Sequence, residues 1–486
     1  MTICVNPRQS LAQFGVARGD ITPPVGIYHR MWGAATHDRS TGVHRQLTAT
    51  VLAIEPIDSD DHQCRKIIVA IDHCLLWAAE MKSLLDRVAE RAAVERDSIT
   101  VFFSHTHAAG LMGLERCELP GGELIPQYLD DLASTIAGLT RDAIATTQPA
   151  SITYENGRCS LAANRDYFDV GKGAHVCGFN PDGQADDLLV VARVTNEHGT
   201  ILATIVNYAC HPTTLAWDNT LISPDYVGAM REVIEDVTGA PCFFIQGASG
   251  DVGPREGFVG DVLVADRNGR QLGYAALSAL EAMGPAKQQF AYAGPVISGA
   301  TIGTWHYVPD SDDRLRQARV WRTALCEVEL PFREDLPRRS ELLDEQKRWQ
   351  AEEQAALDND DLPRSREARA MVERATRRLV RVEHLEESKA FSYRAELWRV
   401  GDAIWIPLDG EHYNVLQRSL RQRFPEFTLL IGTLANGSNV WYLPDANSYG
   451  KGLYQEEASI LARGCLETLG EALVATIEKL GADLTE

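Results

Sequence analysis

Two histidines two apart, His105 and His107, follow directly on the apolar run Thr100 to Ser104. In an extended chain, residues i and i+2 share a face. α/β folds place their sites at the carboxyl ends of strands, and imidazole is a frequent zinc ligand at neutral pH. The pair reads as a metal site, or else as two histidines hydrogen-bonded within a loop. His211 ends a second apolar run, Ile201 to Ala209, and Pro212 stops the strand. A single strand-end histidine fits a structural role, but two in one domain point to convergence. Glu411 follows Gly410 after the apolar stretch Ala403 to Pro407, where it can serve as an oxygen ligand or as an ordinary turn carboxylate. Arg165, in Asn164-Arg165-Asp166, can stabilise a developing oxyanion or form a surface ion pair. Tyr442, Tyr449 and Tyr454, each taken alone, fit the core or a rim. The glycines of Gln246 to Pro254 permit close backbone approach. That stretch carries neither a phosphate loop nor a Gly-x-Ser-x-Gly elbow.

The elements that must position these residues alternate between strand and helix. Strands are expected at Leu47 to Ile54, Lys66 to Ile71, Thr100 to Ser104, Leu188 to Val194, Ile201 to Ala209 and Pro241 to Gln246. Helical spacing marks Glu80 to Ala93, Pro126 to Ala143 and Asp225 to Val237. Later come two strands, Ala390 to Val400 and Ala403 to Pro407, joined by a Gly401-Asp402 turn, then a strand Thr428 to Leu434 and a closing helix Glu456 to Lys479. Between them, Asp310 to Ser388 is rich in Glu, Arg, Ala and Leu, with breaks at Leu336-Pro337 and Leu362-Pro363. It is expected to be a helical hairpin insertion. It would be solvated against the main body, cover a site, or form a homo-oligomer contact. The order fits an α/β fold with layered mixed sheets. Residues 1–309 and 389–486 would form the two parts of the core, and 310–388 the insertion.

Composition narrows the function classes. The chain has 486 residues, 45% of them hydrophobic and 24% charged. At roughly 100–200 residues per domain this allows two to four units, or one large domain with insertions. Acidic residues number 68 against 47 basic, a net charge of -21. That field opposes nucleic acid and anionic membranes. No apolar run is long enough for an integral membrane segment. The N-terminus lacks the pattern of a cleaved secretion signal, so a cytoplasmic location is expected. The ten cysteines are scattered without a Cys-x-x-Cys pair, which fits reduced thiols and excludes a zinc ribbon.

Together these segments resemble the neutral/alkaline, non-lysosomal ceramidase family. The resemblance runs from Gly15 to Pro24, with its Asp20-Ile21-Thr22-Pro23, to the region of Tyr454. His105-Thr106-His107 looks like the family's HTH motif, and Asn164-Arg165 like its Asn-Arg pair. Asn207 to Thr213 looks like its NYAxHPT segment, Gly250-Asp251-Val252 like its GDV turn, and Gly410-Glu411 like its Gly-Glu turn. Tyr442 and Tyr454 match its two tyrosines. The resemblance implies a ceramidase-like catalytic domain holding one zinc through His105, His211, Glu411 and Tyr442. His107, Arg165 and Tyr454 would line the reacting carbonyl. The implied reaction is hydrolysis of an amide, as in N-acylsphingosine. Zinc would supply acidified water at neutral pH, and Asp72 and Asp251 would orient the ligand histidines.

Three departures bear on the substrate. Ala108-Ala109-Gly110 follows the histidines where the family has Ser-Gly-Pro-Gly. Gly253 stands where the family has a serine, and Leu443-Pro444-Asp445 replaces a Thr-rich stretch. Little sequence follows the closing helix, so the family's immunoglobulin-like C-terminal domain is not expected. The expected partner is a small-molecule or lipid-like N-acyl substrate, which need not be ceramide. The alternatives are a zinc hydrolase for an ester or lactone, and a non-catalytic binding protein on the same fold.

Overall fold

The computed structural model describes residues 3–58, 64–383, 385 and 388–482. Its centre is an eight-stranded sheet. In spatial order the strands are Cys242–Gln246, Ile201–Tyr208, Leu188–Asn196, Gln148–Arg158, Arg8–Asp20, Thr48–Pro56, Lys66–Ile71 and Ile99–Phe103. The outermost pair at each edge is parallel, and the pairs between them are antiparallel. A second sheet runs Trp321–Pro331, Ala390–Val400, Ala403–Pro407 and Thr428–Gly432.

Side-chain alternation sorts the molecule into layers. Val51, Val69 and Val101 face helices Ala78–Ala92 and Ile125–Ala145. Val191 and Val206, farther along the same sheet, face helices Tyr226–Thr238 and Val262–Ala282. Their neighbours Leu52, Ile68 and Ile205 turn the other way and pack on Trp398 and Trp405 of the second sheet. The outer face of that sheet, with Leu397, Ile404 and Ile406, is covered by Asn414–Arg423 and Cys465–Gly481. The order is helix, sheet, sheet, helix. Burial on both faces explains why Lys66–Ile71 and Cys242–Gln246 are apolar almost throughout rather than alternating.

The two edges of the large sheet do not end in solvent. Strand Thr428–Gly432 and the residues after it lie between them. Asn207 Nδ2 donates to the Ile245 carbonyl at 3.1 Å and the Ile431 carbonyl at 2.8 Å, and its Oδ1 accepts from Ile431 N at 3.1 Å. Thr433 N donates to the Gln246 carbonyl at 2.9 Å. On the opposite edge, Val101 N donates to Asn436 Oδ1 at 2.8 Å, and Asn436 N to the Val101 carbonyl at 2.9 Å. Gly432 sits at the meeting point. A Cβ there would come within 2.3 Å of Phe102 Cε1 and 2.8 Å of Ile245 Cγ2, so only glycine fits. The carboxyl ends of Ile99–Phe103, Ile201–Tyr208 and Cys242–Gln246 are thereby drawn together.

Most sequence expectations hold to within a residue or two. Lys66–Ile71, Ala390–Val400 and Ala403–Pro407 have the expected bounds. Two do not hold. The segment 310–388 is not helical throughout, because Trp321–Pro331 is a strand paired along its length with Ala390–Val400. Its buried Cys326 and Leu330 lie on one face at even spacing, a period of two hidden by the charged residues between them. The helical hairpin proper is Arg339–Asp358 and Leu362–Val382, with Pro363 in the first turn of the second helix. The closing helix is two pieces, Tyr454–Ala458 and Cys465–Gly481. The break holds a bridge from Leu461 to Phe332, and Gly464 takes a φ of 94° that helix cannot use.

The hairpin is fastened to the body by buried charge. Tyr28 Oη donates to Glu373 Oε1 at 2.9 Å, and Arg116 Nη2 lies 3.3 Å from Glu373 Oε2. The turn Ser249 to Pro254 is tied to the second half in a different way. Gly250 N donates to the His412 carbonyl at 2.8 Å, and Asn414 N to Asp251 Oδ1 at 2.6 Å. Burial, with Asp166 nearby and against the pull of the Asn414 amide, pushes the Asp251 carboxyl up to about 7.

Two outcomes follow. Glu373→Ala removes the acceptor of the buried Tyr28 hydroxyl and one of two carboxylates beside Arg116, leaving it Glu115, and lowers unfolding free energy by about 1–3 kcal/mol, read from urea midpoints. An unfolded aspartate titrates near ~3.9, so native Asp251 holds an extra proton between there and about 7. Its contribution to stability is therefore lost as pH rises through that window. Asp251→Asn, which does not titrate, gains on the wild type from pH 4 to 7 and then levels off. Equal shifts in melting temperature at pH 5 and pH 8 would overturn this reading.

Candidate metal and catalytic site

Three imidazoles meet where the strand ends converge. Ring centroids are 4.4 Å apart for His105 and His211, 4.9 Å for His105 and His107, and 5.1 Å for His107 and His211. His105 takes a φ of 66°, in the left-handed region that non-glycine residues rarely use. Trp441, beside Tyr442, does the same at 58°. Such strain, of order 1–3 kcal/mol per residue, persists only where the surroundings enforce it.

The hydrogen bonds fix the ring tautomers. His105 Nδ1 lies 2.7 Å from the Cys74 carbonyl, and His211 Nδ1 3.2 Å from the Ser249 carbonyl. A carbonyl only accepts, so each Nδ1 carries the proton and each Nε2 of a neutral ring carries a lone pair. The two Nε2 atoms are 2.9 Å apart. Glu411 Oε2 stands 3.3 Å from the first and 3.6 Å from the second, and it is buried without a hydrogen-bond partner. Two facing lone pairs and a bare carboxylate oxygen attract a cation between them. Two nitrogens and an oxygen are donors that suit zinc.

The charges show how strongly the cluster draws positive charge, here a proton on His105. Burial works against a proton on His105, but the Cys74 thiol and the Glu411 carboxylate outweigh it and raise its pKa well above the ordinary range. His211 is held well below that range by burial, Arg165 and the neighbouring histidines. Burial would raise Glu411, yet the charge of His105, helped by the Tyr442 hydroxyl, brings it down. Burial and Glu411 hold the Tyr442 phenol well above its usual value.

Tyr442, Arg165 and Tyr454 complete the cluster. The Tyr442 ring stacks on His211 at 6.5 Å and 11°, and its hydroxyl bonds Glu411. Arg165 donates from Nη2 to the Tyr442 hydroxyl at 3.1 Å and to the Gly250 carbonyl at 2.6 Å. Tyr454 meets Tyr442 edge-on at 5.8 Å and is 46% exposed, so it stands at the mouth. His107 packs on Trp32 at 5.2 Å, and its Nε2 is buried without a partner. Burial, His105, Arg165 and Arg377 keep its pKa well below the ordinary value. The seven residues expected from the sequence as ligands and carbonyl-lining groups thus come together.

The expected orienting residues do not. Asp72 accepts from Thr48 N at 2.9 Å and pairs with Arg231 at 2.5 Å, which turns its carboxylate away from His105. Asp251 is engaged by Asn414 N. The carbonyls of Cys74 and Ser249 orient the histidines instead. A backbone role leaves no side-chain signal, although both residues lie just past strand ends. The Cys74 thiol stands 3.6 Å from His105 Nδ1 and groups with His105 and His107 as a second candidate donor set, but that nitrogen already serves the Cys74 carbonyl. Gly253 faces the cluster. A Cβ there would lie 3.8 Å from His211 Cβ and 3.9 Å from Arg165 Cδ without clash. The Ser249 hydroxyl is bonded by Gln246 Nε2 at 2.6 Å.

Among the described residues no helix is long and apolar enough to cross a membrane. No curated protein matches the sequence. The structure is similar to that of neutral ceramidase from Pseudomonas aeruginosa, with a TM-score of 0.64, 15% identity, and coverage of 99% of this chain and 76% of that one. It is also similar to a ceramidase complexed with C2, with a TM-score of 0.62, 15% identity, and coverage of 99% and 77%. At that identity the likeness speaks to the fold. Residues 13–257, half of the chain, match the family described as neutral/alkaline non-lysosomal ceramidase, N-terminal. The chain belongs to the neutral/alkaline non-lysosomal ceramidase family and is a ceramidase-like hydrolase.

Proposed function

We propose that the chain is a zinc-dependent amidohydrolase that cleaves a linear N-acyl amide other than ceramide. The observation that supports this most directly is the pair of inward Nε2 lone pairs beside the unpartnered Glu411 Oε2. His105, His211, Glu411 and Tyr442 would hold the ion. Bound zinc supplies Lewis acidity to the acyl carbonyl and acidifies the attacking water.

The remaining work falls to the side chains. His107 is neutral and has a free Nε2, so it can take a proton from water and return it to the leaving nitrogen. Arg165 is held rigidly by the Gly250 carbonyl and brings fixed positive charge beside Tyr442, where a tetrahedral oxyanion would gather. Tyr454 can donate its hydroxyl to the same oxyanion from the mouth. Asp251 holds the turn that carries the Arg165 contact, since Arg165 N donates to its carbonyl at 3.0 Å. In this reading residues 1–309 and 389–486 build the site, and the insertion within 310–388 shapes its entrance.

Elemental analysis of the purified protein should find about one zinc per chain. Chelation should abolish turnover of N-acyl amides and lower the melting temperature, and added zinc should restore both. His211→Ala removes one of the facing donors and is expected to lose zinc and turnover together. Retained zinc with full turnover in that variant would sink the ligand assignment.

A further inference from the structure

The helix Leu362–Val382 brings a second cluster of charge to the mouth of the site. Tyr454 is one wall of a cavity of about 290 Å3 whose other walls include Glu373, Arg374, Arg377, Arg381 and Glu457. The Glu373 carboxylate is already engaged by Tyr28, Arg116 and Arg369. Arg374 is paired with Glu457 at 2.6 Å. Arg377 donates to the Met31 carbonyl, and Arg381 lies over the Trp441 ring at 4.7 Å. The Nε of each is buried without a partner. Among the described residues neither guanidinium has a carboxylate within ion-pair distance. The chain carries a net charge of -21, so anions are repelled at long range and such arginines are readily neutralised by its own carboxylates. Two that make no direct ion pair, beside a cavity whose carboxylates Glu373 and Glu457 are held by other arginines, form a local anion receptor.

The receptor sits on one particular side of the site. Arg377 holds the carbonyl of Met31, and the next residue, Trp32, packs on His107. His107 is the group that would protonate the leaving nitrogen, so Arg377 and Arg381 face the amine half of the substrate. This step rests on the amidohydrolase reading above. We infer that the substrate is an N-acyl amide whose amine portion carries an anionic group, a carboxylate, sulfonate or phosphate, bound by Arg377 and Arg381. In the reaction the C–N bond breaks and the oxygen of water joins the acyl carbon. The amine leaves with a proton from His107 and keeps its anionic group.

The test uses ketone isosteres, with CH2 in place of the amide NH, of N-octanoyltaurine, N-octanoylglycine, N-octanoyl phosphoethanolamine and N-octanoylethanolamine. These bind but cannot be hydrolysed. Calorimetry on the protein as purified should show at least one anionic isostere binding about tenfold or more tighter than the neutral one. The anionic arm that binds tightest identifies the group. In Arg377→Gln/Arg381→Gln the ratio should fall toward one. Equal affinities in the wild type, which needs no variant to fold, or an undiminished ratio in the folded double variant, would overturn the inference. Turnover of the parent amides is scored separately. A binding preference without hydrolysis of any of them would leave the anion receptor standing and remove the amidohydrolase reading. Hydrolysis of neutral and anionic amides alike, with equal isostere affinities, would do the reverse.

Discussion

A sheet edge presents a row of amides and carbonyls that must be paired, covered or left to water. In this molecule both edges of the large sheet are served by one stretch of chain, Thr428 to Asn436. Asn207 and Thr433 join it to one side, and Asn436 joins it to the other. Nothing else about the site could be as it is without that closure. His105 leaves the edge strand Ile99–Phe103, and His211 leaves Ile201–Tyr208 near the opposite edge. In a flat open sheet they would lie many strands apart. Drawn onto a common strand, they come within contact distance.

The same closure delivers the other half of the cluster. Glu411 and Tyr442 sit on short parallel strands that pair with each other, and Gly250 packs against the carbonyls of Glu411 and His412 so closely that a Cβ would lie 2.9 Å from each. The GDV turn, the Gly-Glu turn and the strand-end histidines are thus locked by backbone contacts rather than by side-chain salt bridges. That leaves the inward nitrogens and the carboxylate free of competing partners. A buried group without a partner is normally a fault, and clustering of several around one point marks a ligand.

Among the candidate site residues, His105, His107, His211 and Glu411 were readable because each follows an apolar run, whereas Arg165, Tyr442 and Tyr454 were assigned only through the family resemblance. With the resemblance added, all seven could be named without three-dimensional information. What held them was not readable. The carbonyls of Cys74 and Ser249 have no side-chain identity, whereas Asp72 and Asp251 had the right type and the wrong direction. Trp321–Pro331 hid a strand behind charged residues because one of its faces is wet. Edge closure depends on pairs such as Val101 with Asn436 and Asn207 with Ile431, whose separations in sequence exceed any local pattern. Arg377 belongs to the same class, as a helical arginine like its neighbours until Met31 and Trp32 are placed beside it.

The helical hairpin connects two strands that form an antiparallel ladder from Trp321↔Val400 to Pro331↔Ala390. It is, topologically, an enlarged turn at the open end of a ribbon. The ladder does not depend on what fills that turn, and the donors around His211 come from other segments. Away from Glu373, whose buried bonds fasten it to the body, changes in the hairpin can therefore accumulate with little penalty to the layers beneath, while the entrance proposed for it changes with each of them. Relatives that share the core are free to diverge in what they accept through this one connection, by lengthening, trimming or recharging it.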